Sequence, residues 1–249
     1  LGANVHLEGV NKSKQFTFST GLRYKNSRLI LSSQDIKGQY LPSFIDLQTF
    51  FTYQFSEKVH LEYLANYSRN RFSFLPEDRT TDFGLVNFQS RFTVFYEGEE
   101  DDRYQSFMNG LSLVHQVNDD LNLKYLVGYY TMDENEKFDI IGDYFLGEVE
   151  TDPGNDNQGE VKYELGSGTF HDWARNVLQT QIIQSAFKGT LDKKKHEIKF
   201  GFTYKREIIN DKLSEWERRD SSGYSLPSNG TTVQLYDVLK TEPFTLKSN

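Results

Sequence analysis

The feature that most constrains this chain is a recurring two-residue alternation carried over unusually long runs. Phe16, Phe18, Thr20, Leu22 and Tyr24 alternate with Thr17, Ser19, Gly21 and Arg23. The same pattern recurs at Val59, Leu61, Tyr63, Ala65 and Tyr67, at Leu121, Leu123, Tyr125, Val127 and Tyr129, and at Ile198, Phe200, Phe202 and Tyr204. Less regular runs cover Leu47 to Phe55 and Gln105 to Val117, and Val177 to Leu191 changes face near Ile182 and Ile183, as a bulge would require. Alternation at period two places the apolar set on one face of a strand. Each run spans about 9–13 residues, whereas strands of soluble proteins average about 5–6 and tilted membrane-crossing strands need about 9–11.

The connections are lopsided. Tight polar turns are expected at Asn11–Gln15, Ser56–Lys58, Asn118–Asp120 and Asp192–Lys195, the last including the basic triplet Lys193-Lys194-Lys195. Between the resulting hairpins lie long polar connections at about residues 25–46, 69–103, 131–175 and 207–232. Compact soluble domains rarely carry several structureless loops above about 12–15 residues. Outer-membrane barrels do, with short periplasmic turns and long extracellular loops. Within those connections, Thr81 to Tyr96 alternates as strands extending beyond a membrane would, and Phe138 to Val149 fits either a short helix or another hairpin.

Composition agrees with strands that need only every second residue apolar. Of 249 residues, 37% are hydrophobic, yet there are 20 Phe, 15 Tyr and only 5 Pro, unlike a disordered chain. The net charge of -8 and the absence of a clustered basic face argue against a nucleic-acid partner. With no cysteine, thiolate chemistry and disulfides are excluded. No apolar run reaches the ~20 residues of a transmembrane helix. The opening residues lack signal-peptide features, so an export signal is expected upstream of Leu1. Alternation at Ala3, Val5 and Leu7, and a run starting near Thr232 and stopping at Thr245 to Asn249, give the expectation of about eight full strands plus pieces of others.

The expected architecture is therefore all-β: an antiparallel transmembrane β-barrel segment, with residues 1–249 forming part of one outer-membrane barrel domain. Phosphate-binding glycine loops, HExxH and GxSxG are missing. His6, His60, His115, His171 and His196 are too dispersed to suggest a shared metal site. The acid run Glu97, Glu99, Glu100, Asp101, Asp102 reads as a solvated loop. Asp152 to Glu160 is oxygen-rich but lacks EF-hand spacing. Tyr63, Tyr67, Tyr125 and Tyr129 read as lipid-facing girdle residues rather than sugar-stacking platforms. Arg23, Glu62, Lys124 and Glu197 are expected on the inner face. The expectation is no enzyme, with no catalytic, cofactor-binding or metal-ligating residue and no cofactor.

Several stretches resemble the large TonB-dependent outer-membrane receptors of Bacteroidetes. They are Tyr24-Lys25 through Lys37-Gly38-Gln39-Tyr40, Pro42 to Phe50, Phe95-Tyr96-Glu97-Gly98 leading through Asp102-Arg103-Tyr104-Gln105-Ser106, Phe138-Asp139-Ile140 with Leu146 to Val149, Ala174-Arg175-Asn176, Tyr204 to Glu207, and Trp216-Glu217. The resemblance implies a 22-stranded barrel in the bacterial outer membrane, with a plug domain and remaining strands outside residues 1–249. It also implies nutrient import driven by the TonB complex through an N-terminal region outside these residues. The expected partners are outer-membrane lipid, a small nutrient ligand and a possible surface lipoprotein. A passive channel or small barrel, and a soluble carbohydrate-binding β-sandwich, are the alternative expectations.

Overall fold

The computed structural model describes residues 1–27, 38–193, 195–220, 239–240 and 244–248. The run expected from Thr232 lies largely outside them. All described secondary structure is β, in one antiparallel sheet of thirteen strands. Eight strands form its body in chain order: β1 (Gly2–Val10), β2 (Phe16–Asn26), β4 (Ser43–Ser56), β5 (Val59–Leu75), β7 (Phe88–Gln116), β8 (Leu121–Val149), β9 (Val161–Lys193) and β10 (His196–Leu213). Short strands β3 (Gln39–Tyr40), β6 (Arg79–Leu85), β11 (Glu215–Asp220), β12 (Leu239–Lys240) and β13 (Phe244–Ser248) attach to β5, β7, β9, β11 and β10 respectively. Among the described residues the sheet is open. One side of β1 is bare, and β13 borders only Ile209–Leu213 of β10.

The tight turns follow from local chemistry. At the β1–β2 turn, the Asn11 side-chain oxygen accepts from the Phe16 amide and Lys14 adopts a left-handed φ of 59°. Before β8, Asn118 accepts from the Asp120 and Leu121 amides, an Asx arrangement that reverses the chain without a glycine.

Register decides which residues share a face. Leu22 lies opposite Val5 and Leu47, Leu47 opposite Tyr67, Tyr67 opposite Phe107. Further along, Leu111 faces Val127, Val127 faces Ser185, and Ser185 faces Tyr204. One apolar band therefore crosses all eight strands without a break, and the four clean sequence runs all fall on it. Phe51 packs on Phe16 and Tyr63 at 5.7 and 6.1 Å between ring centroids. Polar atoms within the band satisfy one another: Thr20 with Thr49 at 2.7 Å, and the Tyr125 hydroxyl with Ser185 at 3.1 Å. The side chains remain exposed, among them Leu7, Phe200 and Phe202. Buried hydrophobic residues are only Val94, Ile140, Val149 and Ala186 among the described residues. The band is thus a surface, and most of its apolar area lies outside any core of this sheet.

The opposite face is polar and carries all four residues expected there. Arg23 pairs with Asp46 at 2.6 Å, and Lys124 reaches across β7 to Glu62 at 2.6 Å. Glu197 holds Lys199 at 2.7 Å. Between these pairs, Gly110 and Gly128 lie opposite each other and leave a shallow groove of about 220 Å³ walled by Leu64, Met108, Leu126, Tyr130 and Ile182.

Three expectations need correction. Residues 69–103 and 131–175 are mostly strand: β7, β8 and β9 have 29, 29 and 33 residues, so the pairing continues far past the apolar band. Phe138 to Val149 is the end of β8, neither helix nor separate hairpin. Pairing is continuous through Ile182 and Ile183, and the irregularities fall instead at Gln54/Ser56, Leu146/Gly147 and Glu148/Val149. As neighbours in a regular strand the two isoleucines point to opposite faces, Ile183 onto the band and Ile182 into the groove.

Candidate functional site

Beyond the band, β5, β7, β8 and β9 carry its face into a charged zone. The acid run is not a solvated loop: Glu97 to Asp102 lies inside β7, and its members divide between the two faces. Asp101 and Asp102 are each only 8% exposed. Burial of adjacent carboxylates requires partners on both sides of the sheet.

On the band-side face, Arg71, Arg103 and Asn135 form one cross-strand tier, and Asp101, Lys137 and Arg175 the next. Asp101 accepts from Arg71 Nε at 2.8 Å and from Arg103 Nη2 at 2.7 Å, one guanidinium on each carboxylate oxygen. Burial opposes its charge, but the two arginines prevail and hold its carboxyl below the usual range. Asp139, one tier further, takes His171 at 2.8 Å and Arg175 at 2.9 Å, which likewise outweigh its burial and lower its pKa. Arg175 also lies over the Trp173 ring at 4.9 Å, and Trp173 stacks on Trp216 at 5.7 Å. These strands enclose an open cavity of about 620 Å³ lined by Arg71, Arg103, Lys137 and Arg175 together with Glu97, Glu99, Asp101 and Asp139.

The reverse face of the same strands is acidic. Glu100 and Asp102 sit side by side with Glu136, and Tyr104 donates to Glu136 at 2.8 Å. Burial first, then the neighbouring Asp102 charge, pushes Glu100 up to about 7, and burial also raises Asp102. An acid whose folded pKa is raised contributes stability fully present below its unfolded value, near 4.5, and lost as pH rises towards 7. Hydrogen exchange, corrected for its intrinsic pH dependence, should show the outer parts of β7 and β8 better protected at pH 5 than at pH 8. Glu100→Gln should flatten that difference. A difference that survives in the variant would place its origin elsewhere.

The remaining sequence candidates stay apart. His6 contacts Ser19 and His60 contacts Glu62, while His171 belongs to the Asp139 cluster. Among the described residues no three His, Asp or Glu side chains are grouped to hold a metal ion. The Asp152 to Glu160 stretch closes on itself, Glu150 accepting from the Asp152 amide and from Asn155 Nδ2. No protein-family model, curated protein or solved structure matches the chain.

Proposed function

We propose that residues 1–249 form part of the wall of an outer-membrane β-barrel that imports a nutrient in a TonB-dependent manner. The observation that supports this reading is the unbroken apolar band, one strand-crossing wide, on one face of eight consecutive antiparallel strands. Tight turns lie at one end of the band and long strand extensions at the other. In lipid, an outward apolar face is favourable and an inward polar face meets water or a plug. A soluble sandwich would set a second sheet against the band, whereas the thirteen described strands belong to one sheet. Bare strand edges in a bilayer cost several kcal/mol per unpaired backbone group. Further strands of the same barrel, 22 in all by the family resemblance, would pair with β1 and β10.

In this reading the short turns face the periplasm and the β5–β9 extensions stand outside the cell, where they meet the nutrient and a surface lipoprotein. Import rather than passive diffusion rests on the resemblance alone, so the test must separate the two. The full-length protein should fractionate with the outer membrane and require detergent for release. Uptake of its nutrient should stop when the TonB complex is removed. Uptake that continues without TonB would indicate a passive channel, and a monodisperse detergent-free protein would indicate a soluble β-domain.

A further inference from the structure

We infer that the cavity at the outer border of the apolar band binds the phosphomonoester headgroup of an outer-leaflet lipid. The inference rests on the membrane reading above and adds a ligand to it. Parity places the cavity on the lipid side: Arg71, Asp101, Arg103 and Lys137 continue the same face as Tyr67, Phe107, Leu111 and Val127. Arg71 and Arg103 are only two tiers beyond Tyr67 and Phe107, so their guanidinium groups lie where acyl chains give way to headgroups. The intervening tier holds Arg69 opposite Gln105, and Arg69 is exposed with no ion pair among the described residues.

The charges are graded along the strand. Arg71, Arg103 and Lys137 surround one buried carboxylate, Asp101, which leaves two net positive charges beside the band. Asp101 does not compete for a ligand. It is covered by the two arginines and takes one N–H from each, while their remaining N–H groups and their half-exposed surfaces stay available. Lys137 makes no ion pair among the described residues and supplies an ammonium to the same space. Two fixed guanidinium forks and an ammonium match a dianionic phosphate, for which arginine pairs are the preferred partners. Glu99, Asp139 and Glu97 line the far side, the first two on one tier and Glu97 on the next. They repel an anion there and confine the phosphate to the edge nearest the acyl chains. A lipid bearing a phosphomonoester joins both requirements, since its chains lie on the band while its phosphate enters the cavity.

The test is native mass spectrometry of the detergent-solubilised full-length protein with phosphatidic acid, phosphatidylglycerol or phosphatidylcholine added at equal concentration. Phosphatidic acid should bind about tenfold more tightly than phosphatidylglycerol, and phosphatidylcholine least. Lys137→Gln, which breaks no ion pair, should lower phosphatidic acid binding several-fold. Arg71→Gln with Arg103→Gln should abolish the preference, whereas Glu97→Gln should not. Equal binding of the three lipids, or an unchanged preference in Lys137→Gln and in the double variant, would overturn the proposal. Inorganic phosphate that displaces phosphatidic acid at equal concentration would also overturn it, because the acyl chains would then contribute nothing. Reconstitution into phosphatidylcholine vesicles separates the two readings: a protein that inserts but does not select phosphatidic acid refutes only the lipid site, and one that does not insert refutes the membrane reading.

Discussion

Val127→Arg should lower the stability of the full-length protein folded into lipid vesicles by about 2–4 kcal/mol, the range for a cation placed at mid-depth on the lipid side of a barrel. Asn66→Arg should change it by less than about 1 kcal/mol, since inner-face substitutions meet water or polar groups. Val127 is central in the band, between Leu111 and Ser185 and flanked on its own strand by Tyr125 and Tyr129. Asn66 lies on the other face of β5, three positions from Tyr63 in the cross-strand row of Val127, and opposite Gln48 and Met108. Among the described residues neither side chain makes a hydrogen bond or ion pair, so the comparison is between environments rather than broken partners. Urea midpoints of folding into vesicles give both numbers. Equal costs would mean that the apolar face does not meet lipid, and the barrel proposal would fall with it. A larger cost at Asn66 would mean that the sheet is oriented the other way round.

The face structure was legible in the sequence because alternation is a local property. Phe16 to Tyr24, Val59 to Tyr67, Leu121 to Tyr129 and Ile198 to Tyr204 each state their own apolar and polar sets, and the pairing only had to align them. The turns at Asn11 and Asn118 were legible for the same reason, since an asparagine side chain bonds amides within five residues. The charged zone was not legible. Charged residues on both parities erase the hydrophobic signal of a strand, so Glu97 to Asp102 reads as a loop although every residue there pairs with β8. What stabilises it is non-local: Asp101 depends on Arg71, 30 positions away, and Asp139 on Arg175, 36 positions away. One cue was present. Asp101, Arg103 and Gln105 keep the parity of Phe107, Leu111 and Leu113, so extending the alternation upstream would have placed them on the band side. The proposed barrel wall owes nothing to these contacts and rests on the band, and the proposed import rests on the family resemblance.

Gly98→Val should release the outer ends of β7 and β8 while leaving the band folded. Gly98 lies in mid-strand within the charged zone, opposite Ile140 with a φ of +98°. That conformation costs a residue with a side chain about 1–3 kcal/mol. Here a Cβ would also run into the backbone carbonyl of Asp139, which cannot swing aside as a side chain could. A β-branched residue should therefore straighten β7 or break its pairing to Asp139 and Ile140. The cost falls on an extension whose buried apolar residues include Val94, Ile140 and Val149. Local opening of such a segment is expected before global unfolding. Amide exchange in residues 88–98 and 140–149 should accelerate by about 30- to 100-fold, corresponding to ~2–3 kcal/mol. Residues 105–116 and 121–130, in the band, should exchange at the parental rate. Unchanged exchange at both ends of β7 would mean that the positive φ is dispensable. Acceleration throughout β7 would mean instead that the extension and the band fold as one unit, and that the outer sheet supports the wall beneath it.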